Sequence, residues 1–163
     1  MRLLSIDEAK QIELEILAFI DSFCKKNNID YFINYGTLIG AIRHKGFIPW
    51  DDDIDISMTR ENYERFIQLF KREQSKYKIL TLETDERYYN NFIKVVDSTT
   101  RIVDNRNTKT YDSGIFIDIF PIDSFNDTKV IDVCYKLESF KLLSFSKHKN
   151  IVYGDSKLKD LIR

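Results

Sequence analysis

Gly36-Thr37-Leu38-Ile39-Gly40-Ala41-Ile42-Arg43-His44-Lys45-Gly46-Phe47-Ile48-Pro49-Trp50-Asp51-Asp52-Asp53-Ile54-Asp55-Ile56 is the stretch whose reading decides how this chain folds. At its end, Ile54, Ile56 and then Met58 alternate with Asp53, Asp55 and Ser57, the period of two that marks a strand with one apolar and one polar face. Residues two apart on a strand point the same way, so Asp53 and Asp55 can converge on one hard ion while Ile54 and Ile56 anchor the strand in the core. Like charges this close repel, and the flanking isoleucines imply partial desolvation. Either a cation neutralises the aspartates or their pKa values rise. Carboxylate oxygens with no His or Cys beside them select Mg²⁺ or Mn²⁺ over zinc. A solvated acidic turn is the plain alternative for Asp51-Asp52-Asp53, but such a turn has no need of alternating isoleucines. A calcium loop starting at Asp51 fails, because its sixth position is Ile56 rather than glycine and its twelfth is Asn62 rather than glutamate.

Outward from this stretch, the pattern predicts helices and strands in irregular alternation. Ser5 followed by Glu8 is a capping box, and Ile12, Ile16, Leu17, Ile20, Phe23 and Cys24 recur behind it at helical spacing, which predicts a helix over about 6 to 27. Tyr31 to Tyr35 reads as a short strand, and Gly36-Thr37 opens a short helix closed by Gly46. Thr59 is placed to cap a helix carrying Tyr63, Phe66, Ile67 and Phe70 on one stripe and ending near Ser75. Lys78 to Leu82, Phe92 to Val96, a weaker Arg101 to Val103, and Ile115 to Phe120 read as strands, the last with Ile115, Ile117 and Ile119 on one face. From Asp127 onward the chain is lysine-rich and helical, with apolar Ile131, Cys134, Tyr135, Leu137, Leu142 and Leu143. Leu158, Leu161 and Ile162 carry apolar character to the end, where a cap and a polar tail are usual, so this segment reads as truncated. The class is α/β or α+β, with a mixed sheet flanked by helices.

Metal chemistry on phosphates gains from a third carboxylate on a neighbouring strand, and Asp118 is the candidate. It lies between Ile117 and Ile119, where an unpaired aspartate is expensive; a hydrogen-bonded structural role is the alternative. Asp97, Asp104 and Asp123 read as turn residues. Gly36 and Thr37 offer backbone N–H groups at a helix N-terminus, an anion site, although the Gly-Lys-Ser/Thr of a Walker loop is missing. Arg43 is the preferred phosphate ligand because a guanidinium holds two oxygens at once. Lys94, in the apolar run Phe92-Ile93-Lys94-Val95-Val96, is a second candidate, with snorkelling from a strand edge as the duller account. Nothing near His44 in sequence orients it as a base, and core packing is the expected role of Phe47 and Trp50, with stacking on a base or a choline-like cation as the alternative.

Composition narrows the partners. In 163 residues, 25 Lys+Arg stand against 26 Asp+Glu, a net charge of −1, which argues against broad attraction to nucleic acid or anionic lipid. Cys24 and Cys134 lack metal-ligand spacing and read as buried reduced thiols, in keeping with a cytosolic compartment. No apolar stretch has the length of a signal peptide or a transmembrane segment.

The run from Gly36 to Ile56 closely resembles the signature of the LicD family of phosphotransferases, which includes fukutin-like proteins, and Tyr31 to Tyr35 and Gly114 to Pro121 fit the same layout. The resemblance reaches to about residue 125. It implies a nucleotidyltransferase-like catalytic core over 1–125, with 126–163 as a helical C-terminal segment. It also implies Gly36-Thr37 at the glycine turn, Asp53 and Asp55 as the metal pair, and Asp118 as the third carboxylate. The activity implied is transfer of a phospho-alcohol, phosphocholine above all, from its CDP derivative (CDP-choline or another CDP-alcohol) to a hydroxyl of a teichoic acid or lipopolysaccharide, with release of CMP. An acceptor of that kind is consistent with peripheral attachment at the inner membrane face. Transfer of a nucleoside monophosphate on the same carboxylates is the alternative, and a non-catalytic nucleotide-binding module is a third reading.

Overall fold

The computed structural model describes residues 2–86, 88, 90–102, 113–124 and 132–137. The chain divides into two units, residues 1–102 with 112–123, and residues 103–111 with 124–163. In the second unit, residues 132–137 are helical and Cys134 is exposed, not buried as the sequence suggested. Val103, Asp104 and the remainder of the C-terminal segment, Leu142 to Ile162 included, lie outside the described residues.

The first unit is a five-stranded mixed sheet flanked by helices. Helix α1 spans Ile6–Asn27, and its capping box forms as the sequence predicts: Glu8 N donates to the Ser5 hydroxyl, and the Glu8 carboxylate accepts from Ser5 N. Strand β1 is short (Phe32–Ile33), and helix α2 covers Tyr35–Arg43. Strand β2 (Asp55–Thr59) leads into helix α3 (Arg60–Phe70), followed by β3 (Tyr77–Leu80), β4 (Ile93–Asp97) and β5 (Phe116–Ile122). Thr59 occupies the N-cap of α3 without making a side-chain cap bond. The helix stops five residues before Ser75, because Arg72 N and Glu73 N bond back to Leu69 O and Phe70 O and tighten the last turn. Arg101 and Ile102 join no strand; Ile102 N bonds to Ser113 O in a loop contact.

The strand order is β1-β2-β5-β4-β3, with β2 and β5 parallel and every other pair antiparallel. The last strand in sequence thus runs through the middle of the sheet. Its register aligns two rows. Ile33, Ile56, Ile119 and Ile93 are Cα partners across four strands, and one residue over, Asp55, Asp118, Lys94 and Leu80 are partners in the same way. Directly opposed residues share a face, so one row feeds the core and the other places charges side by side. The isoleucine row packs with Ile54, Met58, Val95, Ile115 and Ile117 against the stripes of α1 (Ile16, Ile20, Phe23) and α3 (Tyr63, Phe66, Phe70). Phe23 meets Phe66 and Phe70 edge-on at 5.5 and 5.0 Å, geometry that adds to the burial term.

Strand β5 continues past Phe120 through Pro121 to Ile122. Pairing with β4 stops at Ile119, so one side of β5 is open there, the condition under which a strand tolerates proline.

Candidate active site

The glycine turn is built by close approach. A Cβ on Gly40 would lie 2.4 Å from Gly46 O and 3.1 Å from Ile48 N, so glycine lets α2 pack against the loop that delivers the acidic run. A Cβ on Gly36 would lie 2.3 Å from Asp51 Oδ2. The Asp51 carboxylate is therefore seated at the N-terminal turn of α2, where the helix dipole favours an anion. Tyr35, just before it, holds φ of 44°, an uncommon conformation for a side chain of this size, and packs edge-on against Phe120.

Strand β2 is fastened to this turn by three bonds. The Asp55 N–H donates to Thr37 Oγ1 at 2.8 Å, the Asp55 carbonyl accepts from Asn34 N at 3.1 Å, and Asn34 Nδ2 donates to the buried Ser57 hydroxyl at 2.9 Å. Asp118 N donates to Ile54 O at 3.1 Å, which fixes β5 beside the acidic strand. Asp53 and Asp55 are half-buried and Asp118 is 8% exposed.

Electrostatics link these groups. Burial raises the pKa of Asp53, and the charges of Asp51 and Asp118 raise it further. Burial, then Asp53 and Asp118, push Asp55 up to about 6. Asp118 is raised by burial against the opposing pull of Lys94. Lys94 is lowered by burial, with Asp118, Asp53 and Asp55 opposing. Lys94 is 5% exposed, and its ammonium is ion-paired to Asp118 and stands 3.4 Å from the Phe116 ring centroid. Strand β4 is interior to the sheet, so Lys94 neither snorkels from an edge nor stands open to a phosphate; it offsets the carboxylates from within.

The structure thus brings Gly36, Thr37, Asp53, Asp55, Asp118 and Lys94 into one neighbourhood. Arg43 is exposed at the opposite end of α2, seven residues or about 10 Å of helical rise from Gly36, and is not brought to the turn. Trp50 is 82% exposed rather than core, with His44 edge-on at 6.4 Å, while Phe47 is half-buried under Lys10. Asp123 forms a two-pronged pair with Arg60, and buried Asp97 binds Thr99 and Lys76; each is structural, and neither belongs to the cluster.

Sequence reasoning weighed Asp51 and Asp52 only as an acidic turn or a calcium loop, and passed over Glu13. Asp51, Asp52 and Asp53 each offer an oxygen within 4.8 Å of the others, and Asp51 also lies against Gly36. Glu13 of α1 is buried, and burial together with Asp53, Asp52 and Asp118 pushes its pKa up to about 8. The signal was present: a glutamate three residues before Ile16 and seven before Ile20 falls on the apolar stripe of its helix.

An all-oxygen donor set and carboxyls raised by burial and then by one another's charge fit a hard divalent cation. A pH dependence follows. Glu13 and Asp55 have folded pKa values above their ordinary 4.5 and 3.8, so the folded state retains protons that the unfolded state releases. Without divalent cation, stability is therefore expected to fall by a few kcal/mol as pH rises from about 4 to about 8, and saturating Mg²⁺ to flatten that loss. Thermal melts across this range, with and without Mg²⁺, check it; stability that rises toward pH 8 without the ion contradicts it.

Comparison with known proteins agrees with this geometry. Residues 28–152 match the family described as LicD/FKTN/FKRP, nucleotidyltransferase domain. The chain is 38% identical over 154 residues to the lipopolysaccharide cholinephosphotransferase LicD of Haemophilus influenzae, covering 91% of this chain and 56% of that protein. It is 34% identical over 132 residues to an uncharacterised protein of Rickettsia prowazekii, covering 80% of this chain and 45% of that one. The chain thus spans about half the length of these curated relatives. Among the described residues no helix is long and apolar enough to cross a membrane. On the extent of the family match and the identity to LicD, the chain belongs to the LicD/FKTN/FKRP family and contains its nucleotidyltransferase domain.

Proposed function

We propose that this chain is the catalytic core of a Mg²⁺- or Mn²⁺-dependent transferase that moves phosphocholine from CDP-choline to a hydroxyl of a cell-surface glycan, lipopolysaccharide or teichoic acid, and releases CMP. The observation that carries this reading is the aligned pair Asp55 and Asp118 on parallel neighbouring strands, with Asp53 beside them, in a chain 38% identical to a lipopolysaccharide cholinephosphotransferase. Asp53, Asp55 and Asp118 are the residues that would hold the cation. When bound, the ion neutralises charge on the diphosphate oxygens. Thr37 and Asn34 fix the backbone at Asp55, so its carboxylate is positioned before the donor arrives. Lys94, paired with Asp118, keeps that carboxylate in place. The acceptor hydroxyl oxygen bonds to the choline-bearing phosphorus as the bond from that phosphorus to the bridging oxygen breaks; a carboxylate of the cluster takes the hydroxyl proton.

The test supplies CDP-choline or CTP, each with a glycan acceptor and Mg²⁺, and identifies products by mass. Phosphocholine on the glycan with CMP released from CDP-choline is the expected result. Attachment of CMP from CTP makes nucleotidyl transfer the correct reading, and binding of CDP-choline without turnover leaves a nucleotide-binding module.

A further inference from the structure

Tyr35 carries an exposed ring that the reading above leaves without a task. It stands next to Gly36, on the turn that seats Asp51, and is 57% exposed. Its backbone holds φ of 44°, which is unfavourable for so bulky a residue. The conformation is held from two sides. Tyr35 N donates to Asn34 Oδ1 at 2.9 Å, and Asn34 Nδ2 in turn donates to Ser57 Oγ on β2. The ring packs 5.2 Å from that of Phe120, with their planes 79° apart. A ring wanted only for packing belongs in the core on a relaxed backbone; here the ring is open to solvent and the backbone strained.

The register of the sheet says what this ring stands beside. Ser57 and Phe120 are Cα partners, and they lie two residues along from Asp55 and Asp118, on the same face. The Phe92 ring continues the row, 4.4 Å from that of Phe120. Two residues of strand separate the aromatic row from the carboxylate row by about 7 Å. The ester oxygen and two carbons that join the phosphorus of phosphocholine to its quaternary nitrogen span a distance of that order. Ring faces attract cations, and Lys94 already exploits this: its ammonium lies 3.4 Å from the Phe116 centroid and 5.4 Å from that of Phe92. Tyr35 keeps open ring surface for a second cation. Trp50, also exposed, pairs with His44 at the far end of α2, and Phe47 is covered by Lys10.

We propose that Tyr35, backed by Phe120 and Phe92, receives the trimethylammonium group of the donor while Asp53, Asp55 and Asp118 hold the ion on its phosphates. This inference rests on the reading of the donor as CDP-choline and deepens it. An aromatic surface suits a quaternary ammonium, which has no N–H to satisfy, better than a primary one, which water solvates strongly.

Calorimetry on the 163-residue chain with Mg²⁺, titrating CDP-choline, CDP-ethanolamine and CDP, tests this without recourse to turnover. The parent is expected to bind CDP-choline the most tightly of the three. Tyr35→Leu is expected to weaken CDP-choline on the order of tenfold, to leave CDP within about twofold, and so to erase the preference for choline over ethanolamine. Tyr35→Phe and Trp50→Leu should both keep that preference. Equal weakening of all three ligands by Tyr35→Leu makes the ring a nucleotide contact or a prop and overturns the assignment. Unchanged CDP-choline binding in Tyr35→Leu, or loss of the preference in Trp50→Leu instead, overturns it too. A parent that binds CDP-choline no more tightly than CDP-ethanolamine overturns this inference alone; a parent that does not bind CDP-choline overturns the donor reading as well. Should Tyr35→Leu not fold, nuclear Overhauser contacts in the parent decide. Cross-peaks from the choline methyl protons to the Tyr35 ring support the assignment, and their absence while CDP-choline is bound overturns it.

Discussion

Asp55→Ala is expected to lower phosphocholine transfer by on the order of a thousandfold or more while leaving the protein folded. Asp55 is the Cα partner of Asp118, and its backbone N–H and carbonyl are tied to Thr37 and Asn34, so the carboxylate is the part of the residue free for chemistry. Its pKa is pushed up to about 6 by burial and by Asp53 and Asp118, so removing it relieves repulsion in the ion-free protein. The variant should therefore melt at or above the parent temperature without divalent ion and lose the added stability that Mg²⁺ confers. CMP release from CDP-choline, measured beside melts with and without Mg²⁺, separates the two effects. Asp53→Ala should behave in the same way. Turnover within about tenfold of the parent in either variant removes that aspartate from the reaction.

Lys94→Met carries the largest expected cost in stability, about 3–5 kcal/mol, because it leaves Asp118 buried without its counter-ion. The remaining carboxyl gains a still higher pKa in the folded state. By the sign of the linkage, the loss is then smaller at acid pH and grows as pH rises. Lys94→Met combined with Asp118→Leu should recover much of the stability, since replacing both partners of a buried pair by apolar groups is far milder than removing one. Denaturant melts of the two single variants and the double variant close the cycle. A cost for Lys94→Met below about 1 kcal/mol that does not vary with pH contradicts the role given to the pair.

Local patterns disclosed what local physics controls. The capping box at Ser5 and Glu8 fixed the start of α1, and the helical stripe fixed its extent to Asn27. Alternation of Asp53, Asp55 and the isoleucines gave β2 its two faces, and a lone aspartate between Ile117 and Ile119 marked Asp118 as unusual. Periodicity says which residues share a face but not which strand lies alongside. The insertion of β5 between β2 and β4 is a pairing across some sixty residues, and it places Asp118 against both Asp55 and Lys94. The burial of Lys94 follows from that insertion and was hidden for the same reason. Arg43 was chosen for its chemistry, yet helical rise alone carries it away from Gly36. Trp50 has the size of a core residue but sits in the loop between α2 and β2, where no element covers it among the described residues. Glu13 was readable as a charge on an apolar stripe, but what it faces depends on how α1 lies over the sheet.

The most direct test of the cation site is an anomalous difference map from crystals of the protein grown with Mn²⁺. A single strong peak within about 2.0–2.3 Å of carboxylate oxygens of Asp53, Asp55 and Asp118 is the result expected here. A peak held elsewhere, or none at saturating Mn²⁺ with these carboxylates well ordered, would contradict it.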